Sequence, residues 1–144
     1  MGRAEESGIE LAIITADLDH FKRINDQYGH GTGDTVLVEF ARNLRKAIRA
    51  CDVPIRSGGD EFLVILPECS RENAQSILSR LQPFEIELDR RAITVAYSRG
   101  VAQFQVGDTP QSIVQRADKA MYAEKARRAS ISMETLPLPF ESLG

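Results

Sequence analysis

The chain has 144 residues, 42% of them hydrophobic and 27% charged, with a formal net charge of −3. Those totals describe one globular domain, 1–144, with enough chain for a proper core, and the acidic balance argues against non-specific nucleic-acid binding. No apolar run reaches membrane-spanning length, the opening MGRAEESG lacks signal-peptide character, and two cysteines without metal-site spacing make a reducing cytoplasm the expected compartment.

Along the chain, Glu10–Ala16 (ELAIITA) is short, apolar and isoleucine-rich, the pattern of a buried strand. A short helix is predicted over His20–Gln27, then a loop YGHGTGD, then a helix over Asp34–Ala50 with Leu37, Phe40, Ala41, Leu44, Ala47 and Ile48 at helical spacing. Val53–Ser57 and Asp60–Leu66 read as a hairpin whose two-residue turn, Gly58-Gly59, supplies positive φ angles. Ser70 is placed to cap a helix that runs to Gln82 and stops at Pro83. FEIEL alternates as an edge-type strand, Asp89-Arg90-Arg91 turns, and AITVAYSRGVAQF returns as one long strand. Thr109-Pro110 opens a helix to about Arg128. A short strand near Ser130–Glu134 and a loose tail over 135–144 close a core of about 9–134. This order predicts an α+β sandwich, with helices covering a mainly antiparallel sheet.

Two acidic clusters stand out. Asp17 and Asp19 sit where the first strand meets a loop, and Asp60-Glu61 follow the hairpin glycines. Taken singly, each has a plain role: helix capping for the first pair, turn decoration for the second. A calcium loop starting at Asp17 fails, because Lys22 and Tyr28 stand where glycine and glutamate are needed; GHGTGD lacks the lysine of a P-loop. If the first strand lies beside the hairpin, however, Asp17 and Asp60 meet at one sheet edge. Carboxylates held that close repel each other unless a cation intervenes, and hard oxygen ligands favour Mg²⁺ or Mn²⁺ shared with phosphates. Two such ions can clamp an in-line displacement at phosphorus.

The segments DLDHFKRINDQYGHGTGD (17–34), RACD (49–52), SGGDEF (57–62) and RADKAMYAEK (116–125) together resemble the GGDEF family. Its members, the diguanylate cyclases, condense two GTP into cyclic di-GMP. The resemblance implies a nucleotide-cyclase or palm-like, ferredoxin-like fold. It implies metal ligation by Asp17, the Leu18 carbonyl, Asp60 and Glu61, with Asp60 as proton acceptor and Glu61 as a second essential acid. Asn25 and Asp34 resemble the pair that reads guanine, and His30 lines that pocket. Backbone near His20, Phe21 and Lys22, the turn glycines Gly58 and Gly59, and Lys125 resemble the triphosphate contacts. Arg49 and Asp52 resemble a product-inhibition RxxD site, with Arg80 as a secondary clamp from a neighbouring domain; the ordinary alternative is a local ion pair.

Three departures accompany the match. The family's Asp-x-Leu-Thr-Gly segment does not precede the first strand, which suggests a domain excised from a longer sensor protein. ARRAS follows Lys125 where glycine, arginine and asparagine are usual, leaving Arg128 as the nearest second phosphate arginine. Arg99 replaces a usually apolar strand residue; since unpaired burial would be costly, that part of the strand is expected to be exposed or to meet a partner. The expected activity is two-metal nucleotidyl transfer across a transient homodimer, with GTP and cyclic di-GMP as ligands and no nucleic-acid or membrane contact. A silent cyclic di-GMP or GTP receptor and another palm-type nucleotidyl-transfer enzyme are the alternatives.

Overall fold

In the computed structural model, which describes residues 9–88 and 91–135, strand β1 (Leu11–Leu18) is buried along nearly its whole length. It lies inside a four-stranded sheet of order β2-β3-β1-β6, where β2 is Val53–Arg56, β3 is Glu61–Pro67 and β6 is Tyr97–Gln103. Every pairing is antiparallel. The continuous apolar run of β1 follows from helices on both faces of the sheet, so neither side chain row meets water. On one face Ala12, Ile14, Ala16 and Leu18 pack with Phe62, Val64 and Leu66 against α2 (His30–Ala47) and α3 (Arg71–Arg80). On the other, Ile13 and Ala102 meet Ile113 and Ala117 of α4 (Pro110–Thr135). This β-α-β-β-α-β core is the expected α+β, ferredoxin-like sandwich.

Phe40 is the centre of the larger core. Its ring lies 4.7 Å from those of both Phe62 and Tyr97, and the Tyr97 hydroxyl donates to the Gln82 carbonyl at 3.0 Å. Burial pushes the Tyr97 phenol up to about 12, so it remains a donor throughout the physiological range.

Several boundaries differ from the sequence reading. The stretch 30–34 is helical: α2 starts at His30, straight after α1 (Phe21–Tyr28), with Gly29 (φ 95°) as the sole hinge between them. Glycine residues are poor helix formers, which is why GHGTG read as loop. The helix ends at Ala47 rather than Ala50, because Ile48 is already extended. The single long strand after residue 91 is two strands. β5 (Arg91–Val95) pairs with β4 (Phe84–Leu88) in a separate two-stranded sheet, and β6 joins the main one. Helix α4 continues to Thr135, so 130–134 are helix and not strand. Asp89, Arg90 and 136–144 lie outside the described residues.

The caps behave as expected. Ser70 Oγ accepts from Asn73 N at 3.1 Å, and Thr109 Oγ1 from Ser112 N at 3.1 Å, ahead of Pro110. Arg116 anchors the start of α4 through Asp108 (2.5 Å) and the Gln103 carbonyl (2.6 Å), and this holds the Asp108 carboxyl well below the usual range.

The contact of β6 with α4 is unusually close. A Cβ built on Gly100 would collide with the Ala117 carbonyl oxygen and the Met121 amide, both helix backbone that cannot rotate aside. Gly100→Ala is therefore expected to cost about 3 kcal/mol or more by forcing the helix off the sheet. A urea melt with midpoint unchanged from wild type would contradict that packing.

Candidate active site

The register of β1 against β3 sets Asp17 directly opposite Glu61. One step on, the Leu18 amide donates to the Asp60 carbonyl at 3.1 Å, so the first residues after the hairpin turn meet the end of the central strand. Like charges directly opposite on a ladder are destabilising. Asp17 is only 6% exposed; its Oδ2 accepts from Lys125 Nζ at 2.7 Å, while Oδ1 is buried without a partner. Burial raises the Asp17 pKa; the Lys125 hydrogen bond opposes this, and the charges of Asp60 and Glu61 add to it. Burial would lower the Lys125 ammonium, but its hydrogen bond with Asp17 and the surrounding acids outweigh that and raise it. The ammonium therefore stays charged, and Asp17 is the strained member of the pair.

Asp19 lies beside this cluster and is satisfied differently. Its Oδ1 accepts from Ser98 Oγ at 2.8 Å and its Oδ2 from Arg128 Nε at 3.2 Å. Neither aspartate caps α1: the cap position is His20, in the left-handed region at φ 59° with no side-chain bond. The C-terminal half of α4 thus delivers two cations, Lys125 and Arg128, to the end of β1.

The helix corner brings the expected base-reading residues to one place. Asn25 of α1 packs so tightly over Gly33 that a Cβ there would overlap its side-chain oxygen, and Asp34 is the next residue. Asp34 and His30 are exposed on the first turns of α2, not in a loop. Phe21 packs partly into the core, whereas Lys22 is exposed.

The hairpin turn departs from expectation. Gly29 and Gly107 are the glycines at positive φ among the described residues; Gly58 and Gly59 are not. The connection is longer than two residues, closed by Ser57 N and Gly58 N donating to the Glu61 carbonyl at 2.9 and 3.3 Å. Arg56, which sequence reading did not single out, clamps it by donating to the Gly58 carbonyl (3.1 Å) and the Gly59 carbonyl (2.7 Å). A Cβ on Gly59 would meet nothing within 4 Å, so neither crowding nor backbone conformation within the chain requires glycine there.

Arg49 and Asp52 form a closed local pair. Asp52 Oδ1 accepts from Arg49 Nη2 at 2.6 Å, and Oδ2 from the Arg49 amide at 2.7 Å. The guanidinium also donates to the Pro67 carbonyl at 2.8 Å. The Asp52 side chain is 0% exposed and that of Arg49 34%, so Asp52 orients the arginine and only the arginine is open to solvent. Arg80 donates to the Ala47 carbonyl at 2.7 Å, capping the end of α2 close to Arg49. Arg99 corrects the sequence expectation: it needs no partner molecule. It is half-buried and donates to the Leu78 carbonyl (2.9 Å), the Leu81 carbonyl and Glu124. Its Nε is buried without a partner, and the helix end and the acid that hold its two terminal nitrogens are distant in sequence, so no local pattern announced them.

A family profile described as "Diguanylate cyclase, GGDEF domain" matches residues 1–130. The chain belongs to the GGDEF family. Among its GGDEF relatives, the response regulator PleD of Caulobacter vibrioides is 40% identical over 131 residues, 86% of this chain and 29% of PleD. Diguanylate cyclase DgcP of Pseudomonas aeruginosa is 38% identical over 135 residues, 90% of this chain and 20% of DgcP. The chain thus spans less than a third of either relative. Among solved structures, the diguanylate cyclase SiaD of Pseudomonas aeruginosa, in complex with its activator SiaC, superposes with TM-score 0.79 at 34% identity, covering 87% of this chain and 50% of SiaD. The GGDEF domain of DgcB from Caulobacter crescentus, in complex with c-di-GMP, gives TM-score 0.76 at 29% identity over 85% of this chain and 76% of that one.

The donor set fits a hard divalent cation. Asp17 Oδ1 is a buried carboxylate oxygen with nothing to bind, and Asp60 and Glu61 lie near enough to raise its pKa. Among the described residues no group of three or more histidine, cysteine, aspartate or glutamate side chains is gathered closely enough to hold a metal ion, so a cation bound here would have to take its remaining ligands from substrate oxygens and water. Because folded Asp17 takes up a proton more readily than an ordinary carboxyl, cation and proton compete, and cation affinity should fall as pH drops. Thermal unfolding with Mn²⁺ at about 100 times its Kd should show about 2.7 kcal/mol of stabilisation near neutrality. The gain should shrink at acid pH and vanish in Asp17→Asn; an equal gain in that variant would remove Asp17 from the site.

Proposed function

We propose that the chain is a diguanylate cyclase domain that joins two GTP molecules into cyclic di-GMP, releasing two pyrophosphates. The observation that carries this is the meeting of Asp17, Asp60 and Glu61 with Lys125 at the end of β1, one buried Asp17 oxygen left unpartnered, in a GGDEF chain. Relatives named as diguanylate cyclases and a related domain solved with c-di-GMP support it.

In this reading Mg²⁺ or Mn²⁺, two ions per site, would be held by Asp17, the Leu18 carbonyl, Asp60 and Glu61, and would supply Lewis-acid charge to the attacking and leaving oxygens. Asp60 accepts the proton of the ribose 3′-hydroxyl, whose oxygen bonds to the α-phosphorus of the facing GTP as the bond to pyrophosphate breaks. Lys125 and Arg128 offset the triphosphate charge, together with backbone around His20–Lys22. The open space over Gly59 lets a phosphate approach the turn, where a side chain would intrude. Asn25 and Asp34 match the guanine edge with an amide and a carboxylate, and His30 borders that pocket. Adenine would leave those groups unpaired.

Asp60→Ala and Glu61→Ala should each abolish turnover, a loss of several kcal/mol of transition-state stabilisation, while the fold stays intact, because Asp60 lies in the connection before β3 and Glu61 is the part-exposed first residue of that strand. Incubation with GTP and Mg²⁺, with chromatographic separation of products, reads this. Cyclic di-GMP from a folded Asp60→Ala protein would refute the role. Intact GTP in the wild type, with cyclic di-GMP still bound through Arg49, would identify a receptor instead.

One site holds half of the reactants, so two GTP-loaded domains must face each other, cytoplasmic and transiently paired. The rate per protein should therefore rise with protein concentration. Cyclic di-GMP should restrain the enzyme at Arg49, positioned by Asp52 and assisted by Arg80, and Arg49→Ala should lift that restraint without changing initial rates. A dilution series with mass measured by light scattering checks the first point. A flat specific activity in a monomer would overturn the two-domain mechanism.

A further inference from the structure

Helix α4 carries Lys125 and Arg128 to the site, yet its contact with the sheet does not by itself fix where those side chains arrive. Gly100 lets the helix lie almost on the strand, with Ala117 and Met121 backbone against it. At Gly100 no side chain interlocks strand and helix, while the contacts that do lock α4 to the sheet, Ile113 and Val114 in the core and Arg116 on Asp108, lie nearer its start.

The neighbouring residue supplies the missing constraint. The Arg99 amide donates to Glu124 Oε1 at 2.7 Å, and Arg99 Nη2 donates to Glu124 Oε2 at 3.3 Å, so one residue of β6 holds both carboxylate oxygens. Arg99 pairs with Ala16 in the register and so faces the α2–α3 layer, while Gly100 faces α4. The carboxylate therefore reaches round the edge of β6. Behind it, the guanidinium holds the Leu78 carbonyl at 2.9 Å and the Leu81 carbonyl, at the end of α3 where a cation is favoured. Both members of the Arg99–Glu124 pair are largely covered, at 20% and 15% side-chain exposure. Glu124 immediately precedes Lys125, whose ammonium lies 2.7 Å from Asp17.

We propose that Arg99 and Glu124 are positioning residues that pin α4 to α3 across the edge of β6 and thereby aim Lys125 and Arg128 at the triphosphate. The proposal rests on the nucleotide-binding reading of that end of the sheet. It predicts an effect on nucleotide binding that general destabilisation would not reproduce.

The test compares Arg99→Met, Arg99→Lys, Glu124→Gln and Arg116→Met. The last breaks an ion pair of the same chemistry at the other end of α4, between Arg116 and Asp108, and reports what loss of stability alone does. Each protein is titrated with a non-hydrolysable GTP analogue and Mg²⁺, and assayed for cyclic di-GMP over a range of GTP. Arg99→Met and Glu124→Gln should lower analogue affinity and raise KM by about tenfold, with kcat within about twofold of wild type. Arg99→Lys should recover part of the loss, and Arg116→Met should bind like wild type. Unchanged affinity in Glu124→Gln, or an equal loss in Arg116→Met, would overturn the proposal; if Arg99→Met does not fold, Glu124→Gln decides. A wild type that binds the analogue but makes no product refutes the cyclase reading and leaves the affinity comparison valid. A wild type without nucleotide affinity refutes both.

Discussion

Two carboxylates placed opposite each other at the end of a buried strand pair are an electrostatic cost that a fold ordinarily avoids, and Asp17 and Glu61 occupy such positions. Register allows little escape, because a slip of one residue would turn the alternating buried row of β3, Phe62, Val64 and Leu66, away from the core it fills. The core therefore holds the acids together against their repulsion. Lys125 relieves part of the strain on Asp17, and Arg128 neutralises Asp19 next to it. The central sheet thus works as a frame that keeps unfavourable charge in place, and the proposed chemistry draws on that stored unfavourability.

Helix α4 is the counterpart of that frame. Its start is locked by Arg116 and Asp108, its middle lies against Gly100, and its later turns deliver the cations. These contacts differ in kind: an ion pair, a backbone approach, and a carboxylate held by a strand. A helix fixed in only one of these ways would retain freedom to roll or slide.

Much of this was legible in the sequence because the relevant signals were local. The apolar run of β3, the helical spacing of Leu37, Phe40 and Leu44, and the capping residues Ser70 and Thr109 each reflect a rule operating within a few residues. The acids of the site were legible for the same reason, through contiguous motifs. The errors arose where remote contacts overrode local preference. Glycines at 31 and 33 lie in a helix because α1 packs against it, Asn25 occupying the space above Gly33. Residues 91–103 break at Ala96 because two different sheets claim the two halves. Arg99 looked unpaired because its acceptors come from residues 78, 81 and 124. Gly58-Gly59 invited a tight turn, whereas the loop is held by Arg56 and its requirement for glycine looks outward.

Gly29 is at once the last cap of α1 and the first of α2, its amide donating to the Asn25 carbonyl at 2.8 Å. With one residue between them, the angle between the helices is set by two backbone torsions at Gly29 and held by Asn25 lying over Gly33. A base held between Asn25 and Asp34 would thus meet groups whose spacing is a property of that packing, and a base with the wrong edge would be rejected through groups left without partners.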